Sequence, residues 1–259
     1  MALCTTKGSS IAGIVSVVPR LREDNASFEL IPEALISHTG IRHRRMATAD
    51  TSVKVLFESA VEKLLSRLNW EKDSIDVLIC VTQSPDILLP SVSCRLHGDL
   101  DLPQGTICFD INSGCSGFVY GLYTVNTILS GIGKPNARAV LCCGDISSHL
   151  TEETDRSVRP VFSDAVSAIG IEMSDRPDEI TGYFNLETAG KGQQAIQMEK
   201  NEQGDSYMRL NGIDVFNYSV KYVPRNISEL LSYTGKSMDF PDLYVFHQAN
   251  KLINESIRR

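Results

Sequence analysis

The sequence has no C-x-x-C pair and no Cys/His cluster at zinc-finger spacing; its seven cysteines stand at positions 4, 80, 94, 108, 115, 142 and 143. That odd, irregular set offers neither a structural zinc site nor a disulfide framework, so free thiols in a reducing cytoplasm and no bound metal are expected. No stretch approaches the ~20 apolar residues that a membrane span requires. The early apolar run Ile11 to Val18 is interrupted by Gly13 and Ser16 and lacks a basic leader and a small-residue cleavage site, so no secretory signal is expected. Lys/Arg blocks longer than a few residues are missing as well. With 25 Lys+Arg against 32 Asp+Glu and a net charge of -7, nucleic acid and membrane surfaces are not expected partners. What is present is ordinary for a folded protein: 259 residues, 42% hydrophobic and 22% charged, enough for one large domain or two of usual size.

The apolar pattern alternates between two periods. Ile11 to Val18 is β-branched and stops at Pro19, which reads as a strand. Residues 20 to 50 are polar and irregular, a long excursion of the kind that often carries function. From Ser52 to Leu68 the apolar residues recur at three-and-four spacing, predicting a helix with one buried face. Ile75 to Thr82 is a near-continuous apolar run, as in a strand covered on both sides. A helix over 91–100, a strand over 106–111, a helix over 116–129 and a strand over 139–143 complete an alternation best explained by parallel strands with helical crossovers, and 165–173 could supply one more strand. After the polar break at 174–179 the pattern restarts with a strand over 180–186, a helix over 212–233, a buried strand at Leu243 to Phe246 and a helix opening at Gln248. Domain boundaries of 1–174 and 175–259 follow. The second part is short for a repeat of the first, and its apolar edge at Leu243 to Phe246 predicts either an incomplete chain or a covering element.

Two junctions place reactive side chains where a strand feeds a helix. In Phe109-Asp-Ile-Asn-Ser-Gly-Cys-Ser-Gly-Phe118, Cys115 lies at a helix start, where unpaired amides and the dipole would lower its pKa and favour thiolate. The flanking Gly114 and Gly117 would let backbone approach a substrate. The plainer alternative, a buried structural cysteine, is preferred for Cys80, Cys108, Cys142 and Cys143. In Leu243-Tyr-Val-Phe-His-Gln-Ala-Asn250, His247 occupies the equivalent place in the second part, where pseudo-twofold halves would bring it near Cys115. A neutral imidazole there could hydrogen-bond a thioester or enolate oxygen or exchange a proton with the thiol.

These segments resemble the β-ketoacyl-acyl carrier protein synthase III family, initiating condensing enzymes of the thiolase fold. Thr39-Gly-Ile-Arg-His-Arg-Arg45 resembles its T-G-I-R-x-R loop and Asp110 to Phe118 its nucleophile segment. Thr154-Asp-Arg156, Phe162-Ser-Asp164, Asn211-Gly-Ile-Asp-Val-Phe216 and His247-Gln-Ala-Asn250 follow in the family's order. The resemblance implies an α/β fold of two thiolase-like pseudo-repeats of mixed sheet with layered helices, the second repeat incomplete. It implies a decarboxylating condensation of an acyl thioester primer with a malonyl thioester, as in fatty acid biosynthesis. Cys115 would accept the acyl group and His247 would assist decarboxylation. Arg156, Gly212, Phe216 and Asn250 would line a pantetheine or coenzyme A channel, and Leu89 would close the acyl pocket of a homodimeric partner. No permanent cofactor is implied; the substrates are thioesters of coenzyme A or of acyl carrier protein phosphopantetheine, with the carrier protein as partner.

Several positions depart from the family. Ala34 stands where a tryptophan often stacks on adenine, and Leu252 replaces an arginine, which weakens the coenzyme A clamp and favours a carrier-bound primer. Phe162-Ser-Asp-Ala-Val-Ser167 lacks the glycines of an F-G-D-G-type loop. The family's G-N-T-S segment, source of a third catalytic residue, would fall past Arg259, so half of the decarboxylation site is expected to be missing. Lys251, Arg258 and Arg259 could receive an acidic carrier protein, although a solvated helix face explains them more economically. A non-decarboxylating acyltransferase on the same fold and a non-catalytic partner subunit are the alternatives.

Overall fold

A computed structural model describes residues 2–27, 33–152 and 154–258. Along the chain come β1 (Ala2–Lys7), β2 (Ser9–Val17), β3 (Leu21–Asp24), α1 (Glu33–Thr39), β4 (His43–Met46), α2 (Val53–Leu68), β5 (Ile75–Val81), α3 (Val92–Asp99), β6 (Ile107–Ile111), α4 (Gly117–Ile132), β7 (Arg138–Asp145) and β8 (Ala165–Met173). Then follow β9 (Thr181–Leu186), β10 (Ile196–Lys200), β11 (Ser206–Leu210), α5 (Gly212–Thr234) and α6 (Lys251–Arg258).

The central sheet has the order β2-β8-β7-β5-β6. β5 runs parallel to β6 and β7, whereas β8 is antiparallel to both β7 and β2. The alternating strands β2, β5, β6 and β7 therefore share one direction, and β8, which returns without a crossover α-helix, makes the sheet mixed, as expected. Successive residues of a strand point to opposite faces, and both faces here are covered. Leu78, Cys80, Val140 and Cys142 join Phe57, Val61 and Leu64 of α2, while Val77, Ile79, Val81 and Leu141 join Val125 and Leu129 of α4. That double cover is why β5 reads as an unbroken apolar run. Burying a Leu, Val or Phe side chain is worth about 1.5–3 kcal/mol. An exposed pair such as Lys7 with Asp178 contributes at most about 1 kcal/mol, so apolar faces, not surface ion pairs, set the helix positions.

α4 lies unusually close to the sheet. A Cβ at Gly121 would stand 2.8 Å from Leu141 Cδ1, and one at Gly117 would overlap Val81 Cγ1. Glycine is required there for helix-to-strand packing.

Several elements are absent from the sequence reading: β3, α1 and β4 form within the stretch read as irregular. β1 pairs antiparallel with β9, Ala2 opposite Leu186, and β10 with β11 forms a hairpin. One expected element is not formed: Leu243 to Phe246 makes no strand, with Leu243 75% and Val245 81% exposed. The segment pairs with no strand among the described residues. The helix expected to open at Gln248 begins at Lys251.

The glycine-poor loop after Pro160 is fixed by a carboxylate. Fully buried Asp164 accepts from Ala47 N at 2.6 Å, Ser148 N at 2.8 Å and Ser148 Oγ at 2.5 Å, and its own amide donates to Arg45 O. Beside it, the guanidinium of Arg44, in the Thr39 to Arg45 loop, is buried and donates to Asn25 Oδ1, Glu23 Oε2 and Phe162 O. Burial holds Arg44 below the ordinary arginine range, with Glu23 opposing that shift. Asp164→Asn would turn an NH2 group toward donors. Such a loss costs about 1–3 kcal/mol, more where a charge is involved, so chemical denaturation should show the variant at least ~2 kcal/mol less stable; a change below ~0.5 kcal/mol would contradict this role for Asp164.

Candidate functional site

The first junction is built by β6, α3 and α4. Asp110, on β6, accepts from Val92 N at 2.7 Å and Ser93 N at 2.8 Å, placing a carboxylate at the positive end of α3. The chain then leaves the sheet at Ile111 and turns through Asn112 to Ser116 into α4. Cys115 lies in that turn, two residues before the first helical residue, with its surface exposed. A Cβ at Gly114 would stand 2.8 Å from Gln83 Oε1. The glycines flanking Cys115 thus also allow protein to pack against protein, Gly114 beside Gln83 and Gly117 beside Val81.

A second carboxylate, one that sequence reasoning missed, holds the facing loop. Asp145, at the end of β7, accepts on Oδ1 from Thr82 Oγ1 at 2.7 Å, Gln83 N at 2.6 Å, and Ser84 N and Oγ at 3.0 Å. Gln83 in turn donates to Asn112 Oδ1 at 3.2 Å. The path Asp145, Gln83, Asn112 fixes the backbone just ahead of Cys115. Only the position of Asp145 at a strand end hinted at this, because the hydroxyl and amide donors it gathers lie 61–63 residues away.

The electrostatics of Cys115 run against the sequence expectation. Desolvation pushes the thiol above the ordinary cysteine range, Asp145 adds to the shift, and only the hydrogen bond from its own amide opposes it. Desolvation of the sulfur is the largest effect and favours the thiol over the thiolate. Burial likewise raises Cys80, fully enclosed in the sheet, and pushes Cys108 up to about 11.

His247 lies in the segment between α5 and α6. The residue is exposed overall, yet desolvation of the ring lowers its basicity, so the imidazole is neutral near pH 7. The segment is tied at its far end: Asn250 Oδ1 accepts from Ile253 N at 2.9 Å, and a Cβ at Gly40 would stand 3.1 Å from Lys251 Cβ. Contact between α6 and α1 brings the helices carrying Leu252 and Ala34 together. No hydrogen bond joins the Cys115 thiol to the His247 imidazole among the described residues.

Of the expected channel residues, exposed Arg156 lines an open cleft of about 530 Å³. Gly212 opens α5 behind its cap Asn211, and half-buried Phe216 lies one turn on. Asn250 has its carbonyl oxygen engaged in capping α6, leaving its NH2 group available. Leu89 is 85% exposed. Lys251 pairs with Glu255 at 3.8 Å, which supports a solvated helix face over a free basic patch; Arg259 lies outside the described residues. None of the described helices is long and apolar enough to cross a membrane.

Comparison with known proteins was made on this geometry. Residues 109–190 match the family model for 3-oxoacyl-[acyl-carrier-protein (ACP)] synthase III. The chain is 31% identical over 251 residues to the β-ketoacyl-[acyl-carrier-protein] synthase III of Aliivibrio fischeri, covering 93% of this chain and 77% of that one. It is 30% identical over 258 residues to the enzyme of that description from Clostridium beijerinckii, with the same coverage. The crystal structure of a 3-oxoacyl-(acyl-carrier protein) synthase from Burkholderia xenovorans superposes with a TM-score of 0.89 at 32% identity, covering 99% of this chain and 78% of that one. The chain spans between 66% and 79% of the length of eight curated relatives with which it was compared.

The upward shift at Cys115 has a measurable consequence. Alkylation proceeds through the thiolate, so its rate, followed peptide by peptide with iodoacetamide, should rise with pH to a midpoint above the ~8.5 of a free cysteine. A midpoint below that value would show that the helix terminus, not desolvation, governs the thiol.

Proposed function

Because this chain belongs to the 3-oxoacyl-[acyl-carrier-protein] synthase III family, we propose that it joins an acyl thioester primer to a malonyl thioester by decarboxylating condensation. The observation that carries this reading is the placement of Cys115: an exposed residue at the mouth of α4, pinned by Gln83 and Asn112, within the segment that matches the family model. Residues 1–174 and 175–259 are read as the two thiolase-like halves, one supplying the sulfur and the other the imidazole.

In the first step Cys115 gives up its proton as sulfur bonds to the primer's carbonyl carbon, and the primer's own thiol leaves protonated. Amides at the start of α4 stabilise the transient oxyanion. A thiol held above its ordinary pKa keeps its proton until a substrate carbonyl and an acceptor are present. In the second step the bond from the malonyl α-carbon to its carboxylate breaks and carbon dioxide leaves. The electron pair stays behind as an enolate, whose oxygen accepts a hydrogen bond from neutral His247. The enolate carbon then bonds to the acyl carbonyl carbon, the bond from that carbon to the Cys115 sulfur breaks, and the departing thiolate takes up one proton from solvent, the proton that the decarboxylating condensation consumes overall. Two uncharged groups suit this sequence, since an imidazolium would compete for the malonyl carboxylate instead of letting it leave.

Arg156, Gly212, Phe216 and the NH2 of Asn250 are assigned to the pantetheine arm of a coenzyme A or carrier-protein thioester. Exposed Leu88 and Leu89 suit a homodimer in which Leu89 reaches the partner's acyl pocket. A reducing cytoplasm suits seven free thiols.

Incubation of the chain with an acyl thioester and radiolabelled malonyl thioester should release carbon dioxide and form a 3-oxoacyl product in equal amounts. His247→Ala should slow release by ~10²-fold or more, the scale of a positioned proton-transfer or oxyanion group. Acyl transfer without carbon dioxide would point to a non-decarboxylating acyltransferase, and no reaction at all to a partner subunit.

A further inference from the structure

We propose that Cys94, on α3, and Cys108, on β6, form a redox-active thiol pair that closes reversibly to an intramolecular disulfide when a small disulfide oxidant reaches it. The pair is separate from the thioester chemistry assigned to Cys115 and stands without that reading.

The packing of α3 on the edge of the central sheet assembles the pair. β6 is the last strand of the order β2-β8-β7-β5-β6, and α3 lies against it. Cys108 and Asp110 are two residues apart on β6 and therefore point to the same face. Asp110 accepts from Val92 N at 2.7 Å and Ser93 N at 2.8 Å, which fixes the first turn of α3 over that face, and Cys94 is the next residue of the helix. Cys108 packs against the apolar cluster that contains Val92 and Leu96. The two thiols meet at this junction. Burial pushes Cys108 up to about 11, and the charge and hydrogen bonding of the neighbouring Cys94 act in the same direction.

Access distinguishes this pair from the other adjacent thiols. Cys80 and Cys142 stand opposite each other on β5 and β7, but both are fully buried in the core beneath α2, where an oxidant has no entry. Cys94 is exposed and Cys108, expected from the sequence as an enclosed core residue, is only half-buried. One sulfur is open to solvent and the other is held beside it. Exchange then takes two steps. The Cys94 sulfur gives up its proton and bonds to one sulfur of the oxidant, whose S–S bond breaks, and the other half leaves as a thiol carrying that proton. The Cys108 sulfur next gives up its proton and bonds to the Cys94 sulfur; the mixed disulfide breaks, and the second half leaves as a protonated thiol. Two cysteines are oxidised, and one small disulfide is reduced to two thiols. The bridge ties α3 to β6 at the junction that Asp110 already holds, so it closes on a contact that is present beforehand.

Equilibration of the intact chain with glutathione disulfide and glutathione, followed by acid quenching, alkylation and peptide mapping, tests this. Cleavage after Arg95 and before Asp110 puts Cys94, Cys108 and Cys115 on separate peptides. At about 0.1 mM glutathione the Cys94–Cys108 linked peptide should exceed the glutathione adduct on Cys94 by roughly tenfold or more, because closure onto an adjacent thiol has an effective concentration in the millimolar range. Excess dithiothreitol should return both thiols. Cys108→Ser should arrest the exchange at a glutathione adduct on Cys94, and Cys94→Ser should leave half-buried Cys108 unmodified. The proposal is overturned if wild type keeps the adduct on Cys94 with Cys108 free, if neither cysteine reacts, or if Cys94 bridges to Cys115 or to a second copy of the chain instead.

Discussion

The close approach of α4 to the sheet is the constraint on which the site depends. With Gly117 against Val81 and Gly121 against Leu141, the helix axis is fixed relative to β5 and β7, and the turn before it has one place to go. Cys115 lies in that turn, so its position is a consequence of core packing more than of any contact made by the sulfur. A protein interior resists such displacements because it is packed like a crystal. A side chain at Gly117 would have to move the helix, and the thiol with it.

Carboxylates at the ends of strands carry that rigidity outward. Asp110 holds the start of α3, Asp145 holds the turn at residues 82–84, and Asp164 holds β4 against the turn at Ser148. Each gathers amide or hydroxyl donors from a separate loop, and charge-assisted bonds of this kind are about twice as strong as neutral ones. The loops around Cys115 are therefore organised from beneath, while the surface above stays open. The same arrangement explains the neutral thiol: Asp145, needed to hold the loop, opposes ionisation of the sulfur.

Much of this architecture was legible in the chain. The α2 helix and the β5 and β7 strands were readable because their apolar residues fall at fixed periods, and periodicity is local. β1 was not, since Ala2 to Lys7 becomes a strand only by pairing with residues 181–186. The β10–β11 hairpin was missed for a related reason: its residues are mostly exposed and carry no strong alternation. The segment from Leu243 to Phe246 misled in the other direction, because β-branched and aromatic composition signals a strand but does not supply a partner. At the site, the motif order brought Cys115, His247 and Arg156 into view. The ionisation of Cys115 was read with the wrong sign, because the rule for helix ends is written in sequence and desolvation is not. Asp145 escaped notice because it matters only through a loop that the sequence does not place beside it.

All of the condensation chemistry assigned to this chain passes through one sulfur. Intact-mass measurement after exposure to acyl thioesters, with peptide mapping of wild type and Cys115→Ala, examines it directly. The account predicts one acyl group per chain, mapped to Cys115 and lost in the variant. An acyl group that persists in the variant, or a wild-type chain that stays unmodified across acyl-coenzyme A and acyl-carrier donors, would contradict it.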